Sequence, residues 1–178
     1  MEYTVRSTRT GRSSRLRRTA DNSIIFIVCL LLLLLIFKVM LVPVRVTAPQ
    51  VSELEEGDLI LVDRVSKYIA EYKVGDIVRA DLGTGAAEYR LAAKGPATYT
   101  VRAGKAYLDG ALLDESSYSG GWPEETDLEL RIPEGSVLLL PDSRAAFASA
   151  APETVPYNSI IGEVRVRVSP IRRFAFFF

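Results

Sequence analysis

Histidine is absent from this 178-residue chain, and cysteine occurs only once. Without histidine there is no Ser-His-Asp triad and no histidine-activated cysteine. With no histidine and a single thiol, the usual nitrogen and sulfur ligand sets for zinc are missing, so no metal site is expected. Cys29 cannot close an internal disulfide, and its place inside an apolar run reads as inert packing rather than as a nucleophile. Net charge is missing too, because 22 Lys and Arg balance 22 Asp and Glu.

That balance hides an uneven distribution. Residues 1–23 carry Arg6, Arg9, Arg12, Arg15, Arg17 and Arg18 against Glu2 and Asp21, leaving the remainder acidic. This Ser- and Thr-rich stretch is predicted to be a disordered tail. No aromatic residues interleave with its arginines to stack on bases, so nucleic acid is not the expected partner. A membrane explains the charge better, since residues 24–42 are apolar except for Lys38 and include the run Leu30–Leu35. At about 1.5 Å per residue, that segment spans roughly 28 Å, close to the hydrocarbon thickness of a bilayer. A cleaved leader is the competing reading, but Pro49 directly after Thr47-Ala48 disfavours cleavage there. Basic residues before the span predict a cytoplasmic N-terminus and an external domain over residues 43–178.

Beyond Pro43 the pattern is that of short strands and turns, with neither long helical periodicity nor internal repeats. Strands are predicted at Leu59–Val62, Ile77–Val78, Tyr89–Ala92, Thr98–Arg102, Lys105–Leu108, Leu128–Ile132, Val137–Leu140 and Ile160–Val168. Ser66–Tyr72 reads as one helical turn or a bent connection, Ala103-Gly104 as a tight hairpin turn, and residues 114–127 as a long surface loop. Gly83-Thr84-Gly85 has no helix after it and reads as a hairpin turn, not a phosphate cradle. Arg172-Arg173-Phe174-Ala175-Phe176-Phe177-Phe178 suits either a membrane interface or packing of its rings on the domain.

Several segments carry a family resemblance in order. Leu54, Gly57 and Asp58 keep the frame of a Ser-Met-x-Pro-Thr-Leu-x-x-Gly-Asp pattern. Val74-Gly75-Asp76-Ile77-Val78, Gly104-Lys105-Ala106-Tyr107-Leu108-Asp109-Gly110, Pro141-Asp142-Ser143-Arg144 and Ile160-Ile161-Gly162-Glu163-Val164 follow at suitable positions. Together they resemble the type I signal peptidase family over about residues 44–170. The resemblance implies an all-β, signal-peptidase-like sheet or barrel domain on a single N-terminal transmembrane helix, with Gly57, Asp58, Asp142 and Arg144 as structural residues and no cofactor.

The same resemblance implies a Ser/Lys dyad, in which a desolvated lysine takes the serine proton. Counting back from Asp58 places Pro49 at the serine, and Tyr89 stands at the lysine with Arg90 retained beside it. A proline has no hydroxyl, and burial drives a phenol away from ionisation. The dyad is therefore expected to be lost. Ser52 with Lys94 is the one substitute pair, and it requires shifts of three and five residues. Asp142-Ser143-Arg144 reads as a structural turn, with Arg144 satisfying carbonyls.

Since active members bind substrate as an added strand, Pro49, Gln50, Val51, Ser52, Tyr89, Arg90, Leu91 and Ala92 are the expected peptide-binding residues. Degenerate members of the family are associated with pilus assembly in Gram-positive bacteria. The expected function is that of an inactive accessory in the bacterial cell membrane that binds secreted or pilin precursor chains and contacts membrane lipid. An active signal peptidase and a purely structural membrane protein are the alternatives.

Overall fold

A computed structural model describes residues 11–83, 85–147 and 152–177. The tail positions Glu2, Arg6 and Arg9, the turn residue Thr84, residues 148–151 and Phe178 lie outside the described residues. The chain divides into a helical unit up to Val39 and a β unit from Met40 to Phe178.

Helix α1 covers Gly11–Met40. It begins thirteen residues before the expected start at Ile24, so residues 11–23 are helical where disorder is predicted. Arg, Leu and Ala are good helix formers, and extending a nucleated helix costs little compared with starting one. Its stretch Asn22–Met40 has a mean hydropathy of 3.0 and is long and apolar enough to cross a membrane. The C-terminal boundary also moves. Leu41 and Val42 belong to strand β1 (Leu41–Arg45), because Pro43 disfavours helix at the residue before it and β-branched Val42 and Val44 suit a strand.

Two antiparallel sheets form the β unit. In the first, β1 pairs with β2 (Leu59–Asp63), and a four-residue helix α2 (Ser66–Ile69) leads to β3 (Ile77–Asp81) and β4 (Ala86–Lys94). Gly83 and Gly85 have φ of +90° and +109° and lie in the connection between the paired ends Asp81 of β3 and Ala86 of β4. The chain then leaves for the second sheet, made of β5 (Ala97–Arg102), β6 (Lys105–Leu108), β7 (Ala111–Leu112) and β8 (Leu128–Ile132) in the order β7-β6-β5-β8. Its first hairpin turns on Ala103 and Gly104, both left-handed, as a two-residue loop of this twist requires. The chain returns through β9 (Ser136–Leu140), β10 (Thr154–Pro156), β11 (Ile160–Ser169) and β12 (Ala175–Phe176). The first sheet runs β1-β2-β11-β3-β4-β9-β10, with β12 also on β11.

Gly95 joins the sheets at a close approach, since a Cβ there would lie 1.8 Å from the Pro133 carbonyl oxygen. Opposite faces of the first sheet bury different clusters. One holds Val46, Val51, Leu54, Ile60, Val62, Ile77 and Val164. The other holds Tyr72, Val78, Ala80, Leu91, Val137, Leu139 and Ile160. Strand alternation sends successive residues of β4 to these two faces, which decides where Tyr89 and Arg90 point.

Candidate functional site

Asp142 is the hub of the site. It lies two residues beyond Leu140, the last residue of β9, is 4% exposed, and accepts from the Arg90 Nε at 3.1 Å and Nη2 at 2.9 Å. Its Oδ2 also accepts from the Ser52 N–H at 2.8 Å and lies 2.9 Å from the Ser52 hydroxyl, while its own N–H donates to the Gln50 carbonyl. Arg90 completes the ring by donating to Glu53 at 2.6 Å and to the Gly75 carbonyl at 3.0 Å, beneath the ring of Tyr118. Burial works to raise the Asp142 pKa, but the bonds from Arg90 and the Ser52 N–H outweigh it and hold the carboxyl below its ordinary value. The charged pair therefore fastens the 50–53 loop to the end of β9.

Tyr89 points the other way, into the cluster of Tyr72, Val78 and Leu91. Burial first, then the Glu88 and Asp81 charges, push its phenol above the ordinary tyrosine pKa. It is no base at neutral pH. Pro49 is half-buried on the loop whose Val51 and Leu54 pack against the opposite face. Neither position supplies a group able to attack a carbonyl or to take a proton from one that does.

The substitute pair is not brought together. The Ser52 hydroxyl is engaged with Asp142 and with the Tyr118 carbonyl at 3.3 Å. Lys94 instead bonds Glu71 at 2.8 Å, in a cavity of about 320 Å³ that Lys67 and Tyr157 also line. Each belongs to its own network. Arg144 does satisfy a carbonyl, donating to Pro141 at 2.6 Å, and it also pairs with buried Glu115 under Trp122.

The sheet edge expected at Tyr89–Ala92 is open only at its upstream end. Leu91 exchanges backbone bonds with Gly75 and Asp76, and β9 pairs with β4 at Arg90, Leu91, Ala93 and Lys94. At Arg90 and Leu91 β4 therefore has a neighbour on both sides. Upstream, the alternation of an antiparallel ladder turns the Ala86 backbone groups and the Glu88 carbonyl away from β3, beyond the last β9 pair at Leu140. This short open edge ends where the Gln50 carbonyl meets the Asp142 N–H.

Sequence reasoning missed the groups that hold the loop from its far side. Arg167 and Arg173 both donate to the Glu53 carbonyl, and Arg173 pairs with Glu55 and with Asp58 at 3.2 Å. Phe177 packs against the Val46 cluster, whereas Phe174 and Phe176 stay exposed and meet edge to face. Among the described C-terminal phenylalanines, one ring therefore packs on the domain and two lie at the surface. Glu163 on β11 is a further missed group. Burial, then the nearby Asp76 charge, raise its pKa to about 7 despite a 2.9 Å pair with Arg165. An isolated arginine or glutamate a hundred residues from the motif gave no pattern to read.

The family model described as signal peptidase, peptidase S26, matches residues 17–169. Among solved structures, the chain is similar to a signal peptidase I from Enterococcus faecalis V583, at 20% identity and a TM-score of 0.40 over 52% of this chain and 96% of that one. A comparison with curated proteins gave no significant match.

Proposed function

Because the chain belongs to the signal peptidase family S26, its departures from that family's chemistry become the question, and we propose that it binds exported polypeptides without cutting them. One observation carries this reading. The ring of Arg90, Asp142, Ser52 and Glu53 holds the loop and the neighbouring strand end in place, while Pro49 and Tyr89 occupy the positions of the nucleophile and the base. An extended chain laid along Ala86–Tyr89 and the 49–52 loop gains main-chain hydrogen bonds that need no reacting group. Its side chains would alternate between the sheet faces, so small residues at alternate positions suit the confined side.

In this reading the apolar helix anchors the protein in the bacterial cell membrane, with residues before it cytoplasmic and the β unit outside. Secreted or pilin precursors are the clients, and the role is accessory to export or pilus assembly. Protease added to protoplasts should then digest residues 43–178, and protection of that region would reverse the orientation. The central test incubates the full chain in detergent with a signal-peptide-bearing preprotein, beside an active homologue. We expect the preprotein to be captured intact. Cleavage that Ser52→Ala abolishes would replace this reading with an active peptidase. Failure to capture any secreted precursor would favour a structural role.

A further inference from the structure

We propose that α2 is a second membrane contact, with Tyr68 and Ile69 entering the interfacial layer of the bilayer that holds α1 while Arg64 and Lys67 meet lipid phosphates. The inference rests on reading α1 as a membrane span, and three observations within the β unit lead to it.

The first is position. Met40 ends the apolar helix and begins the β unit with no linker, and its carbonyl accepts from the Arg64 N–H at 3.1 Å. The β1–β2 register pairs Leu41 with Asp63, so β2 ends level with the residue where the span stops. Helix α2 begins three residues after Asp63, within about 10 Å of chain. It cannot lie far from the membrane surface if the span ends there.

The second observation is composition. Tyr68 is 79% exposed and Ile69 77%, so the β unit leaves most of the surface of both side chains uncovered. Tyrosine with an aliphatic neighbour is the pairing found at the headgroup boundary, where an amphipathic ring and an apolar side chain both leave bulk water. The third is charge. Arg64 is exposed, and the half-buried Lys67 ammonium, which donates to the Ile160 carbonyl at 3.4 Å, lies 5.1 Å from the Tyr68 ring centroid, so cations flank the apolar pair as they do in interfacial helices. Lys and Arg can reach phosphate while their stems lie along apolar groups.

The strand register makes the C-terminal aromatics a poorer candidate for the same contact. Ser169 pairs with Leu59, at the end of β2 away from Asp63, and Ile171–Arg173 and Phe174 follow Ser169. Phe174 therefore sits toward the strand end opposite Met40. Fixing a second point beside the span would set the tilt of the β unit over the bilayer, and with it the height of the peptide-binding edge.

The test uses the full chain in vesicles of phosphatidylcholine and phosphatidylglycerol, with an environment-sensitive fluorophore on a single cysteine. The native Cys29 serves as the probe of insertion, and Ile69→Cys and Phe174→Cys are made with Cys29→Ser. Nitroxide lipids labelled near the headgroup should quench the Ile69 probe strongly and shift its emission to the blue, and should leave the Phe174 probe unchanged. Loss of that quenching on replacing Arg64 and Lys67 by Gln, not restored by raising the phosphatidylglycerol content, would support the cationic part, and undiminished quenching would overturn that part. A dark Cys29 probe in deep-nitroxide lipid with a bright Ile69 probe would overturn the proposal and leave the anchor intact. Quenching at Phe174 instead of Ile69 would overturn it as well. Two bright probes at positions 29 and 69 would remove the membrane anchor itself and the proposal with it.

Discussion

Residues 89 and 90 are neighbours on one strand, yet they belong to different parts of the molecule. Arg90 holds a buried network with Asp142 and Glu53 that fastens a loop to a sheet. Tyr89 lies in the hydrophobic cluster on the other face and donates nothing to that network. The comparison teaches that the frame of a peptidase site and its reacting groups answer to different constraints. The frame resists change because removing one partner strands a buried charge. Pro49 and Tyr89, where the family resemblance puts the reacting groups, bear no such load, so a proline and a tyrosine fit without disturbing the fold.

The contrast breaks first at Asp142. Asp142→Ala leaves the Arg90 guanidinium buried beside Glu53 alone, and should cost about 3–5 kcal/mol of stability, read as a lower thermal midpoint of the full chain in detergent. A loss no greater than that of an exposed substitution would show that the frame carries no load.

A smaller effect belongs to Glu163. Its carboxyl titrates near 7 in the fold, above the ordinary 4.5, so the native state holds this proton more tightly than the unfolded chain. Stability from this group is greatest below about pH 4.5 and is lost as the pH rises through 7. Glu163→Gln should flatten that slope and stabilise the protein at pH 8 by about 1–3 kcal/mol. Denaturant titrations at pH 5 and pH 8 measure it, and an unchanged slope would contradict the assignment. Arg173→Ala should cost about 1–2 kcal/mol, since Arg167 still holds the Glu53 carbonyl. The same denaturant titration at fixed pH reports it.

The smallest effect sharpens the comparison most. Pro49→Ser with Tyr89→Lys introduces the serine and lysine that the family resemblance puts at these positions and should yield little or no cleavage of a standard preprotein. The Tyr89 side chain lies in an apolar cluster on the face away from the loop, and a correct pair in a wrong setting gains little. Robust cleavage would show that only the dyad was missing.

How much was legible from the chain follows the same division. Gly-Asp turns and period-two apolar runs marked β2, β5, β6, β8, β9 and β11 within a residue or two, because short-range chemistry decides them, while β3 and β4 each run three residues past an expected end. Four strands of the described residues escaped, all of them short pieces held by a partner, and one is β10, three residues beside β9. Strand β7 is two residues beside β6, β12 is two residues on β11, and β1 lies in what reads as continuous span until Pro43 is given its full weight. Tyr89 and Arg90 were placed correctly on one strand. The open edge at Ala86 was not foreseen, because it depends on where β9 stops, and no local pattern encodes that register. Glu53, Arg167 and Arg173 stayed invisible for a similar reason, since their meaning lies in a contact between distant segments.

That last contact bears on the order of events during synthesis. Asp58 and Arg173, which pair in the finished protein, are 115 residues apart. At roughly 5–20 residues per second, the ribosome needs on the order of 6 to 20 s to pass from one to the other. Throughout that interval the loop with Pro49 and Ser52 exists without the arginines that grip it, and Asp142 arrives only part-way through. A nascent chain therefore fixes the 50–53 loop late, only after nearly all of the β unit has been made.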